Sequence, residues 1–156
     1  MDALERAALV ARYAAGHAEV LAALTDITEE ELDRAPGDGS WTPRQVVHHL
    51  ADSEMTSAIR VRRLLAEEDP VLLGYDEEHW ARVLHYEQRP IGPALDAFAA
   101  ARSTTLQLLE RMTEEQWHRR GTHSEGGAYD VERWLRIYAG HAHDHADQIR
   151  AARGRG

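Results

Sequence analysis

Apolar residues recur at steps of three and four along most of the chain, and this spacing predicts helices. In the first run, residues 3–24, Leu4, Ala8, Ala11, Ala15, Ala18 and Leu21 or Ala22 fall on one line. Thr28 and Glu31 carry the spacing of a capping box and predict a short helix, followed by the loop APGDGSW. The stretch beginning WTPRQVVHHL is the strongest helix. Thr42 is a good N-cap, Pro43 occupies the favoured first position, and Gln45 completes the box. Val47, Leu50, Ala51, Glu54, Ala58, Val61 and Leu65 trace its inner stripe, and Pro70 marks its end. Residues 71–92 show no long period and predict a loop with a short helix near 77–84. Pro93 opens another long helix, Thr113 with Gln116 repeats the cap of a short one, and residues 121–130 predict a loop. The last helix is expected over 131–152. Four long helices with short connecting ones define an all-α four-helix bundle, expected as a single domain over residues 1–156. The long link between the second and third long helices allows those two to run non-sequentially.

The last helix raises a chemical question. Val131, Trp134, Leu135, Tyr138, Ala142 and Ile149 form its core stripe, and His141 and His145 fall inside that stripe. His143 points toward solvent. Two imidazoles four residues apart stack on one helical face and can share a metal ion. Burying both rings costs desolvation and demands partners, and a metal would supply one to each. On this helix alone, ligand pair and polar core are equally good readings. A third ligand should come from another helix. His49 lies beside the stripe of the second long helix, whereas His48 shares its face with Arg44, Gln45 and Asp52. His49, His141 and His145 would give three nitrogen ligands and an open position, which is the catalytic pattern; structural sites are closed by four. His17, His79, His85, His118 and His123 lack partners at ligand spacing and are assigned ordinary polar roles.

Composition narrows the chemistry. There are no cysteines, which excludes disulfides, thiolate metal sites and a cysteine nucleophile and fits a reducing cytoplasm. The formal net charge of -9 disfavours nucleic acid as a partner. No apolar run approaches membrane-spanning length, and the first residues, MDALERAALV, carry too much charge for a signal peptide. All 18 basic residues are arginine, a bias of the kind a GC-rich genome produces. Glu115 and His118 form a single Glu-x-x-His on a short connector, whereas a di-iron bundle needs two on long helices. There is no HExxH, phosphate loop or G-x-S-x-G, and Ser53, four residues after His49, has neither an acidic orienter nor an elbow.

SWTPRQVVHHLADSE, YDEEHW and GHAHDHADQI, taken together and in this order, resemble the DinB-like superfamily, and within it the YfiT-like branch of metalloenzymes. The resemblance covers nearly the whole chain. It implies a four-helix bundle of non-sequential topology, often a homodimer, with a divalent transition metal (zinc, nickel or iron) held by one histidine of the second long helix and two of the fourth. Carried onto this chain, these are His49, His141 and His145, the residues that periodicity selects. Relatives include S-transferases that use bacillithiol or mycothiol and a mycothiol-dependent isomerase. The resemblance therefore implies a small-molecule substrate and transfer or activation of a low-molecular-weight thiol, with metal-dependent hydrolysis as the alternative. Gly140 and Asp144 stand where the branch carries tryptophan and histidine. Asp144 reads either as a solvated helix face or as a group acting on a ligand or water. Asp52 reads either as an orienter of the centre or as a charge partner of Arg44. Trp41, Trp134, Tyr138 and the segment LLGYDEEHW are candidate pocket walls. Two other roles are consistent with the sequence: a non-catalytic bundle held together by its metal, acting as a stress-linked binding module, and a metal-free carrier of a small ligand.

Overall fold

The computed structural model describes residues 1–37 and 39–154. Its elements in chain order are α1 (Ala3–Leu24), α2 (Glu29–Leu32), α3 (Pro43–Ala66), β1 (Val71–Leu72), α4 (Glu77–Val83), a 3-10 turn (Tyr86–Gln88), α5 (Gly92–Leu109), α6 (Glu114–Trp117), β2 (Arg120–His123), β3 (Gly127–Asp130) and α7 (Val131–Ala152). Local chemistry sets most helix starts. Asp2 accepts the amide hydrogen of Glu5, Asp76 that of His79 and Asp130 that of Arg133. Thr28, Thr42 and Thr113 each close a reciprocal capping box, with Glu31, Gln45 and Gln116.

The four long helices form the bundle. α1 packs chiefly on α7 and α3 on α5, while weaker α3–α7 and α1–α5 faces complete the ring. The pairs α1/α3 and α5/α7 are thus diagonal, and the topology is non-sequential. It departs from sequential order there, not at the long α3–α5 link, whose two helices are direct neighbours.

The line expected to face inward on α1 instead faces out: Leu4 is 82% exposed, and the buried residues are Arg6, Tyr13, Gly16, Val20, Ala23 and Leu24. An alanine-rich helix is apolar on all sides, so its periodicity does not select a face. The choice is made by Tyr13 and by close approach at Gly16, where a Cβ would lie 2.6 Å from Arg102 Nη2 and 2.7 Å from the Ala142 Cβ. On α3 the stripe is buried as expected, except that Leu64 rather than Leu65 completes it. All six apolar stripe positions of α7 are buried.

Two segments expected as loops contain strands. β2 and β3 form an antiparallel hairpin, and β1 adds in parallel with Val71 beside Thr122. Strands of two to four residues, rich in glycine, are too short to display a period of two.

The core divides into two apolar clusters. One gathers Val46, Leu50, Phe98, Ala142, Ala146 and Ile149; the other gathers Tyr13, Val61, Leu64, Trp134 and Leu135. Between them lies a buried polar layer. Arg102 donates from Nη1 to Glu54 Oε2 at 2.6 Å, from Nε to the Tyr13 carbonyl at 2.8 Å and from Nη2 to the Tyr138 carbonyl at 3.2 Å. The Tyr13 hydroxyl donates to the other Glu54 oxygen. Burial pushes the Glu54 carboxyl up, against the pull of Arg102 and Tyr13. Among the described residues, no helix is long and apolar enough to cross a membrane.

Candidate metal centre

The α3–α7 face brings His49, His141 and His145 together. His141 Nε2 lies 3.3 Å from His49 Nε2 and 3.2 Å from His145 Nε2, and one ligand atom from each of the three rings lies within 4.8 Å of the others. His49 is 2% exposed, while His141 and His145 are half-buried, so the cluster sits inside the wall of the bundle with one side toward solvent. The 4.9 Å between the Trp41 and His49 ring centres and the 5.6 Å between those of Tyr138 and His141 fix the flanks.

The protons on these rings are placed by their surroundings. His145 Nδ1 lies 2.7 Å from Gln148 Oε1, an acceptor, so Nδ1–H donates and Nε2 is left with its lone pair facing the other two rings. Burial lowers the His49 pKa to about 3, helped by His145, and lowers that of His141 to about 2, helped by His145, His49 and Arg102. The His145 pKa is lowered as well, by burial first, against the Gln148 hydrogen bond and the Asp144 charge. The three rings are therefore neutral at pH 7, the state in which imidazole binds a metal. The donor set is three neutral nitrogens, which suits zinc, nickel, iron or copper.

The other candidates sit elsewhere. Asp52 accepts the Tyr86 hydroxyl, and Arg44 pairs with Asp33 and Glu29 rather than with Asp52. Asp144 is exposed, and His143 Nε2 donates to the Arg12 carbonyl at 2.9 Å. His48, placed on a polar face by the sequence, is 2% exposed: the 3-10 turn folds over it, its ring stacks on Tyr86, and Nε2 donates to the Arg89 carbonyl. Trp134 is fully buried and donates to the Ser57 carbonyl, which makes it core rather than pocket wall. Sequence reasoning missed two partners. Gln148 follows His145 by three residues, a helical spacing that signals it. Glu54 is the one carboxylate in an otherwise apolar stripe, which signals a buried cation opposite; nothing local points to Arg102.

A non-sequential helical bundle with three histidines converging from two helices defines a class of helical bundles with a candidate three-histidine metal site. Within that class the chain belongs to the DinB superfamily, whose family model matches residues 12–149. It is 36% identical over 124 residues to an Oceanobacillus iheyensis protein, covering 80% of this chain and 72% of the relative. It is 34% identical over 133 residues to YfiT of Bacillus subtilis, covering 85% of this chain and 75% of that one. Both relatives carry the name of metal-dependent hydrolase as an inferred assignment. The solved structure of Bacillus subtilis YfiT, described as "a probable metal-dependent hydrolase with an unusual four-helix bundle topology", superposes with a TM-score of 0.92 at 29% identity, over 99% of this chain and 89% of that one. The four-helix bundle protein TT2238 matches in fold, with a TM-score of 0.66 at 22% identity, over 94% and 98% of the two chains.

Proposed function

We propose that the protein is a metal-dependent enzyme in which His49, His141 and His145 bind one divalent transition metal through Nε2 and leave a coordination position open to a small-molecule substrate. The observation that carries this reading is the convergence of three neutral imidazole nitrogens, one with its tautomer set by Gln148. When bound, such a metal supplies a Lewis acid that lowers the pKa of a nucleophile at the open position. The chain's own residues hold the geometry. Gln148 keeps the His145 ring oriented. Trp41, tied through Nε1 to Glu78 at 3.2 Å, packs beside His49. Arg102 clamps the Tyr138 carbonyl, less than one turn before His141.

Two nucleophiles fit this centre. Water, and hence hydrolysis, takes its support from the names carried by the relatives. A low-molecular-weight thiol, and hence S-transfer, takes its support from the resemblance of the histidine-bearing stretches VVHHLADSE and GHAHDHADQI to thiol-dependent relatives. The deciding measurement is metal content per chain by plasma mass spectrometry. Wild type should carry one transition metal that is lost in His49→Ala, His141→Ala and His145→Ala. The loaded protein is then assayed for thiol addition to a fluorogenic electrophile and for ester and amide hydrolysis. A wild-type protein that takes up no zinc, nickel or iron on reconstitution would sink the proposal.

A further inference from the structure

A polar cluster beside the triad is left unexplained by metal binding. Ser53, 3% exposed, lies one turn beyond His49 on α3, and Tyr138 lies about one turn before His141 on α7. Arg60 reaches the same place from two turns further along α3, and Tyr75 enters from the segment between β1 and α4. Arg60 Nη1 donates to the Tyr138 hydroxyl at 3.4 Å, Nη2 donates to the Leu73 carbonyl, and its guanidinium carbon stands 6.0 Å from the Tyr75 ring centre. Arg60 Nε and the Tyr75 hydroxyl are both buried without a hydrogen-bond partner, and the only other such side-chain atom among the described residues is Arg6 Nε. Burial also pushes the Tyr75 hydroxyl pKa up to about 12, with Ser53 and Arg60 opposing, so it remains a donor at neutral pH. Orphaned buried donors are rare, and two in one cluster call for an acceptor from outside the chain.

Space for an acceptor is present on the Arg60 side of the cluster. A pocket of about 280 Å³ opens on Arg60 and Tyr138, the two members of the cluster that line it, and is closed by His123, Glu125, Gly126, Tyr129, Arg133 and Ile137. Arg60 and Arg133 pair with no carboxylate among the described residues; Arg133 instead donates to the carbonyls of Gly126 and Ala128. Two free donors, one on a cation, match the two oxygens of a carboxylate. We propose that Arg60 and the Tyr75 hydroxyl form a subsite for a carboxylate group of the substrate whose reacting atom sits at the three-histidine centre. This rests on the metal-dependent reading above and gives its substrate class: a small anionic molecule with its carboxylate held at one end and its reacting group at the metal.

The test is titration calorimetry on the zinc-loaded protein. The probes are acetohydroxamate, a series of ω-carboxyalkyl hydroxamates of increasing length, and the neutral methylamides of that series. Acetohydroxamate reports on the metal alone. At least one carboxylate member should bind about tenfold more tightly than its methylamide, the size of effect expected of a charged hydrogen bond. Arg60→Gln and Tyr75→Phe should each remove most of that gain and leave acetohydroxamate affinity unchanged. Tyr75→Phe deletes a hydroxyl whose own hydrogen has no acceptor and whose one polar neighbour is Ser53, so its folding should be little affected even if Arg60→Gln loosens the segment at Leu73. Metal bound but no carboxylate gain at any length would overturn the subsite alone. A gain that survives both substitutions would do the same, the orphaned donors then being served by water. A protein that takes up no metal would overturn the metal-dependent reading, and the subsite with it.

Discussion

The depressed histidine pKa values make the metal-free protein acid-labile in a way that can be calculated. In the unfolded chain these rings have the ordinary value of 6.5, whereas in the folded protein His49 titrates near 3 and His141 near 2. The unfolded state therefore binds more protons below pH 6.5. The associated stability is complete above that value and is lost as the pH falls. Between pH 7 and pH 5 each ring accounts for about 2 kcal/mol, or about 4 kcal/mol together. That is a large fraction of the 5–15 kcal/mol typical of a domain. The assay is urea unfolding of chelator-treated protein at pH 7, 6 and 5, set against a His49→Gln, His141→Gln double variant. The lowered values of His48, His123 and His145 contribute to both proteins and cancel in the difference. Wild type should lose about 4 kcal/mol more than the variant over this range. Parallel loss in the two proteins would refute the claim that burial holds these rings neutral.

Three other outcomes follow from the geometry. Gln148→Leu should weaken metal affinity about 10- to 100-fold by freeing the His145 ring, as measured by competition with a chromophoric chelator. Arg102→Met should destabilise the fold by about 3–5 kcal/mol in urea unfolding at pH 7, since it leaves Glu54 buried without its cation, and the Glu54→Leu, Arg102→Met pair should recover much of that loss. Removal of metal should leave the far-ultraviolet dichroism unchanged at pH 7, because α3 and α7 are already packed through both apolar clusters; collapse of the helical signal would instead favour a metal whose role is structural.

Much of this architecture was legible in the sequence because its cause is local. The caps at Thr28, Thr42 and Thr113 depend on residues three apart, and the α7 stripe with His141 and His145 depends on a single helical period. The choice of His49 over His48 also followed from local position, although the reason assigned to His48 did not hold: its face is buried under the 3-10 turn. What the sequence left open depends on contacts between distant residues. The inward face of α1 is decided by Arg102 filling the notch at Gly16, eighty-odd residues away, which no periodicity of an alanine-rich helix can reveal. The diagonal placement of α1 and α3 depends on how whole helix faces fit. The short hairpin depends on pairing between segments too brief to carry a pattern. The same holds at the site. The histidines and their spacing were written in the chain, but the tautomer at His145, the neutrality of the three rings and the stranded donors of Arg60 and Tyr75 arise only when burial removes water and tertiary contact decides which groups replace it.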